Sequence, residues 1–315
     1  MLHFLFYIVV FNNFIGQNYN KPMRRKISAI LICFLITVSA SSQNSKFNQL
    51  KNRIKADLLL LQTKTLPGPD NRDYDFYDNL DAYCNRTARK ISKLLLLDEA
   101  RTPVDLSDFK YNEHIAMFEL SAKTDDKHNI HIYNFGYDCG GSRGWITYPI
   151  IQWTNDAGKL FTYNLSQKIN SEFTGIYALP DDYYLLLGDE KGSGACRVRT
   201  AYVIRFKRDY LLLDSPAFVN HPGLSFCNVE FTFNEETKEL TCQAQEMQTT
   251  DGEVFYDISA FNLQYNYPDK TERNKMYSLL SIDYNTGEFK VKFSNGKFHK
   301  TRKSNSEPFF RVYEE

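Results

Sequence analysis

Residues 130–165 read IHIYNFGYDCGGSRGWITYPIIQWTNDAGKLFTYNL, and the period of their apolar positions decides the fold. IHIYNFGY and WITYPIIQW alternate apolar and polar residues, the period of a half-buried strand. DCGGSRG and TNDAGK between such runs are short and rich in turn residues, which makes them hairpin loops rather than crossovers. The same pattern extends both ways: AMFELSA precedes the stretch, and TGIYALP, DYYLLLG, RVRTAYVIRFKR, DYLLL, LSFCNVEFTF, KELTCQAQ, FYDISAFNLQY, MYSLLSIDY and EFKVKFS follow it as strands. Short connections without intervening helices imply antiparallel meanders, not βαβ units.

Upstream of Pro103 the period is helical. Phe47, Leu50, Ile54, Leu58 and Leu61 mark one amphipathic helix, and Tyr77, Leu80, Cys84, Ala88, Ile91 and Leu95 mark a second, running from about Tyr74 to Asp98. TLPGPDN separates them. The expected fold class is α+β, mostly antiparallel β, with two N-terminal helices followed by a β-meander body. Residues 43–315 form one domain, helical over 47–98 and β-rich over 110–298. A propeller-like all-β fold is the alternative; it requires several four-stranded blades, and no repeat of fixed period is visible.

The beginning of the chain sets its compartment. Residues 23–42, MRRKISAILICFLITVSASS, carry a basic start, an apolar core and small residues, the pattern of a secretory signal peptide. Met23 reads as the true start, with residues 1–22 as a mis-assigned upstream extension. The other reading of that extra apolar run is an uncleaved N-terminal anchor, although it falls short of the roughly 20 residues a membrane span needs. The expected destination is export, to the periplasm or beyond, with no membrane span after cleavage.

The full chain has 38 basic and 38 acidic residues. Lys21, Arg24, Arg25 and Lys26 are the only charged residues before Gln43; removing them leaves 34 basic against 38 acidic, a net of −4. A mildly acidic body without a basic tract carries no electrostatic footprint for nucleic acid. The expected partner is an envelope protein or a glycan.

An exported chain can form disulfides. Cys139 and Cys196 each sit in a glycine-rich loop, YDCGGSRGW and GDEKGSGACR, and a bond between them would staple the two loops together. Cys84 lies on an apolar helix stripe and reads as a core residue. With Phe233 opposite Leu240, Cys242 falls opposite Phe231 and Cys227 opposite Glu246, too far apart for a bond between the two cysteines. Both read as buried thiols.

In CRVRTAYVIRF, strand alternation puts Arg197, Arg199 and Arg205 on one face, which must be solvated, meet acidic partners or receive an anionic group. The candidate binding rim is formed by the two glycine loops: Asp138, Arg143, Trp145, Asp189, Arg197 and Arg199. Trp145, Tyr148 and Trp153 could stack on sugar rings or equally fill a β core. Asp138 and Asp189 form a candidate acid and base for a glycan hydrolase. Cys139 as a nucleophile lacks any recognised base among His114, His128, His131 and His221. No metal and no cofactor are expected: HNIH at 128–131, the acidic turn around Asp70, Asp73 and Asp75, and Asp181 with Asp182 all lack a full ligand set. Neither glycine loop precedes a helix, so neither is a phosphate cradle.

The order of signal peptide, helical N-terminus, IHIYNFGYDCGGSRGWITYPIIQW, TGIYALPDDYYLLLGDE, TAYVIRF, NVEFTFNEETKEL and IDYNTGEFKV resembles a group of exported proteins from Bacteroidetes-type bacteria, over about residues 110–295. The resemblance implies export and a shared fold, and no activity. The paired glycine-loop cysteines depart from that group's pattern. An exported binding or interaction protein is therefore the leading expectation, ahead of an envelope hydrolase or a purely structural envelope component.

Overall fold

The computed structural model describes residues 46–61, 79–101, 115–121, 130–138, 145–169, 171–193, 196–261, 263, 269–283 and 285–301, with side chains at all of these except 115–121, 137, 138, 145 and 191–193. The leader and its alternative readings, the turn around Asp70, and Cys139 and Arg143 lie outside the described residues. Two compact units divide at residue 53; the first is described only as the opening turns of a helix, and everything below concerns the unit Ile54–Glu315.

Helix α1 (46–61) buries Ile54, Leu58 and Leu61, and α2 (Leu80–Leu94) buries Leu80, Cys84, Ala88, Ile91 and Leu94, the stripes that the spacing predicts. Asp57 of α1 accepts hydrogen bonds from Lys90 (2.5 Å) and Thr87 (3.4 Å) of α2. The fold is α+β and mostly antiparallel. Strands β1 (Ile115–Ser121), β2 (His131–Asp138), β3 (Trp145–Thr154) and β4 (Leu160–Asn164) form a first meander. Strands β5 (Glu172–Ala178), β6 (Tyr183–Ser193), β7 (Cys196–Lys207) and β8 (Tyr210–Leu212) form a second, and β9 (Gly223–Cys227) pairs with β7 on the edge that β8 also uses. The third sheet has the order β10 (Val229–Asn234), β11 (Glu239–Ala244), β14 (Glu288–Ser294), β15 (Lys297–Lys300), while β12 (Glu246–Gln248) and β13 (Val254–Tyr256) make a separate hairpin.

Two cores join the three sheets face to face. Ile130, Ile132, Ile151 and Trp153 of the first sheet pack on Phe173, Tyr184, Leu186, Ile204 and Phe206 of the second. The opposite face of the second sheet, with Leu185, Leu187, Ala201 and Val203, packs on Leu240, Cys242, Phe289, Val291 and Phe298 of the third. Tyr184 to Gly188 are consequently all buried, and the unbroken apolar run YLLL is the mark of a strand covered on both sides. Among the described residues, none of the three sheets closes on itself. The first sheet's outer side carries α2, whose Leu95 carbonyl and the nearby Ala100 carbonyl accept from Gln152 (2.6 and 2.8 Å). The third sheet's outer side shows Thr232, Lys290 and Lys292 to solvent.

Three local readings are corrected. MYSLLSIDY is not a strand: Lys270–Leu280 form helix α3, started by Asp269, whose side chain accepts from the Glu272 amide (2.9 Å), and burying Met276 and Leu280 one turn apart. FYDISAFNLQY is not one continuous strand: β13 ends at Tyr256, and a 3₁₀ turn follows over Ile258–Phe261. LSFCNVEFTF is two strands, because Asn228 has φ 52° and turns the chain from the second sheet into the third. Asparagine tolerates that left-handed conformation better than most residues.

Candidate functional site

The site grows from the β6–β7 hairpin, the longest among the described residues. Its register sets Asp189 opposite Arg199, and the β5–β6 register sets Asp189 opposite Glu172. Asp189 bonds both arginines: its carboxylate accepts from Arg199 Nη1 and, at 2.7 Å, from Arg197 Nη2. Arg199 reaches on to Glu230 of β10 (2.5 Å), so this ion pair crosses from the second sheet to the third. The demand that the arginine face meet acids is thereby answered for two of its three members. Burial works against the charge on Arg199, but the bonds from Asp189 and Glu230 outweigh it and hold the guanidinium more firmly protonated than usual.

The proposed Cys139–Cys196 bond is overturned: Cys196 is joined to Cys227. The kink at Asn228 is the reason, since it leaves Cys227 on β9 beside the start of β7, where Val198 is its ladder partner. Cys227 is therefore not a thiol. Cys242 is a buried thiol, as its register opposite Phe231 predicts, and Cys84 is buried on α2. Burial pushes both thiols well above their ordinary range, so neither is a ready nucleophile.

Beside the disulfide, Asn228 clamps Arg197 by both backbone groups: its amide donates to the Arg197 carbonyl (2.9 Å), and its side-chain oxygen accepts from the Arg197 amide (3.1 Å). The Asn228 carbonyl accepts from Gln245, whose own carbonyl accepts from Asp257, which ties in the β12–β13 hairpin. These elements enclose an open cleft of about 550 Å³ lined by Arg197, Arg199, Asn228, Glu230, Gln243 and Tyr256, among others. Gly287 fixes the Tyr256 side: it has φ 64°, and a Cβ there would fall 2.5 Å from that of Tyr256.

Of the six rim residues expected from sequence, Asp189, Arg197 and Arg199 come together. Asp138 and Trp145 are ladder partners at the end of the β2–β3 hairpin, with side chains outside the described set, and Arg143 lies outside it altogether. Tyr148 and Trp153 are buried and belong to the core rather than to a stacking platform. Among the described residues, no group of three His, Cys, Asp or Glu side chains converges as for a metal ion.

Glu172 and Glu230 were not singled out by sequence reading. Glu172 has a legible signal in hairpin register, but the bulge between Phe173 and Gly175 shifts it; Glu230 comes from another sheet and has none. Burial raises the Glu172 carboxyl above its usual range, the facing Asp189 adds to this, and Arg197 opposes it. A raised carboxyl binds its proton more tightly when folded. Stability therefore falls as pH rises from the unfolded value through the folded one. Glu172→Gln is expected to flatten that slope and to leave neutral-pH stability equal or slightly higher, as urea midpoints taken across the acid range would show; a lower midpoint at pH 7 would mean that the ionised Glu172 is a net stabiliser.

No family model, no curated protein and no solved structure matches the chain, and no helix among the described residues is long and apolar enough to cross a membrane.

Proposed function

We propose that the chain is an exported, non-enzymatic binding module of the cell envelope, acting through the cleft that Arg197 overhangs. The observation that carries this reading is the way Arg197 is held: backbone clamped by Asn228, flanked by a disulfide, side chain 63% exposed beside a polar cleft. A fixed backbone with an exposed guanidinium binds polar or acidic ligands with little ordering cost. Export is supported by the MRRKISAILICFLITVSASS leader pattern and by the presence of a disulfide, which persists in oxidising compartments. The proposed partner is a glycan or an envelope protein.

The test is binding of the mature protein to purified cell-wall material and to a glycan array, with Arg197→Ala and Gln243→Ala as variants. Each is expected to weaken binding by about tenfold, equivalent to about 1.4 kcal/mol, with an unchanged melting temperature. Retention that neither substitution affects would remove the cleft from the proposal. Absence of any retention would favour a structural envelope component.

A hydrolase is the second reading, favoured by one observation: Glu172, with its raised carboxyl, faces Asp189, which two arginines hold, and unequal carboxyls are what acid–base pairs require. Against it, neither residue is among those lining the cleft. Release of fragments from cell-wall material by the wild type, abolished in Glu172→Gln, would replace the binding reading with this one.

A further inference from the structure

Arg205, the third arginine on the same face of β7, differs from the other two in having no acidic partner among the described residues. Its Nε donates to the Asp181 carbonyl (3.1 Å) and its Nη1 to the Tyr183 hydroxyl (3.2 Å), while the guanidinium lies 4.5 Å over the Tyr183 ring. Tyr183 is itself fixed from the other side, with Phe293 edge-on at 5.4 Å and the Gly296 turn so close that a Cβ there would meet the hydroxyl at 2.9 Å. The guanidinium is thus half-buried and oriented by these contacts. Two of its five donors are used, and among the described residues neither goes to a carboxylate.

These groups wall a separate cleft of about 430 Å³ at the β8 edge of the second sheet. Tyr163, Leu211, Leu213 and Pro216 give it apolar surface, Lys168 supplies a second cation, and among the described residues Asp214 is the one acid in the wall against these two cations. Lys168 is only loosely engaged: its Nζ is 3.8 Å from Asp214, and both side chains are mostly exposed. A preset guanidinium, an exposed ammonium and a tyrosine ring around a space of this size match a small organic acid: the planar fork takes a carboxylate bidentately, and the apolar wall takes the body of the molecule. We infer that this cleft is a binding site for a small carboxylate ligand with a ring body, independent of the cleft at Arg197.

The probes are benzoate, D-glucuronate and inorganic phosphate, titrated into the mature protein at low salt by calorimetry and by NMR of the arginine side-chain Nε–H signals. Saturable binding of at least one of the two carboxylates is expected, with a shift of the Arg205 signal. Arg205→Gln should weaken it roughly ten- to hundredfold, the worth of hydrogen bonds to a charged group. Arg205→Lys keeps the charge without the fork and should lose most of the affinity while preserving the Tyr183 contact. Lys168→Ala, at an exposed position, should cost about threefold without disturbing the fold. The inference is overturned if none of the probes saturates, if phosphate alone binds, or if carboxylate affinity survives unchanged in both Arg205 variants.

Discussion

Replacing Cys196 and Cys227 together by serine is expected to lower the unfolding free energy by about 3.7 kcal/mol, from the loop-closure entropy of a cross-link spanning 31 residues. Measured against typical domain stabilities of about 5–15 kcal/mol, that is a large fraction. The loss falls on the corner where β9 turns into β10. Beyond Cys227 the chain leaves the second sheet, and the Asn228 clamp on Arg197 depends on β7 and β9 keeping their register. Urea titrations of the wild type, with and without reductant, and of the double variant give the test. Midpoints of the reduced wild type and the variant should coincide, well below the oxidised midpoint, with a larger m-value because the uncrosslinked unfolded chain exposes more surface. Equal midpoints with and without reductant would show that the bond adds nothing. Peptide mapping should identify Cys196 linked to Cys227.

The second large effect is expected at Asn134, in the middle of β2 and buried. Its side-chain amide donates to the Phe173 carbonyl (2.9 Å) and accepts from the Phe173 amide (3.0 Å), as a neighbouring strand would. Phe173 lies on β5, the free edge of the second sheet, beside the bulge that shifts its register. Asn134 thus closes an edge that would otherwise leave two buried backbone groups unpaired. Asn134→Leu keeps the volume and removes both bonds, so the expected loss is about 2–6 kcal/mol, at about 1–3 kcal/mol per orphaned group. Chemical denaturation measures it. A loss below about 1 kcal/mol would mean that water or a backbone shift replaces the side chain, and that the junction between the first two sheets does not depend on it.

Much of this architecture is legible in the residues because alternation reports which strand faces are covered. The β10–β11 register follows from its turn alone, and it correctly excludes a Cys227–Cys242 bond. Legibility ends where one residue changes the direction of the chain. The apolar phase slips by one at Asn228, from Leu224 and Phe226 to Val229, Phe231 and Phe233, and reading LSFCNVEFTF as one straight strand passes over that slip and assigns Cys227 to the wrong sheet. In MYSLLSIDY the apolar residues suit either period over so short a span; the Asp269–Glu272 helix start, just upstream, decides for a helix. At the site, the demand of Arg197 and Arg199 for acids is readable, and Asp189 follows from the hairpin. Glu230 does not, because its approach depends on two sheets stacking, a tertiary relation with no local trace.

At its centre, over Tyr184–Gly188 of β6 and around Ala201–Ile204 of β7, the second sheet has one core on each side of it. This has a consequence for cooperativity. A sheet with one wet face can lose an edge strand or a hairpin while the remainder stays native. Here the Tyr184–Leu187 and Ala201–Ile204 amides cannot reach water unless a neighbouring layer comes off first. The middle of the chain is therefore the last part to open, and its local stability equals that of the whole unit. Partial unfolding is confined to the outer layers: the helices on one side and the β14–β15 edge on the other.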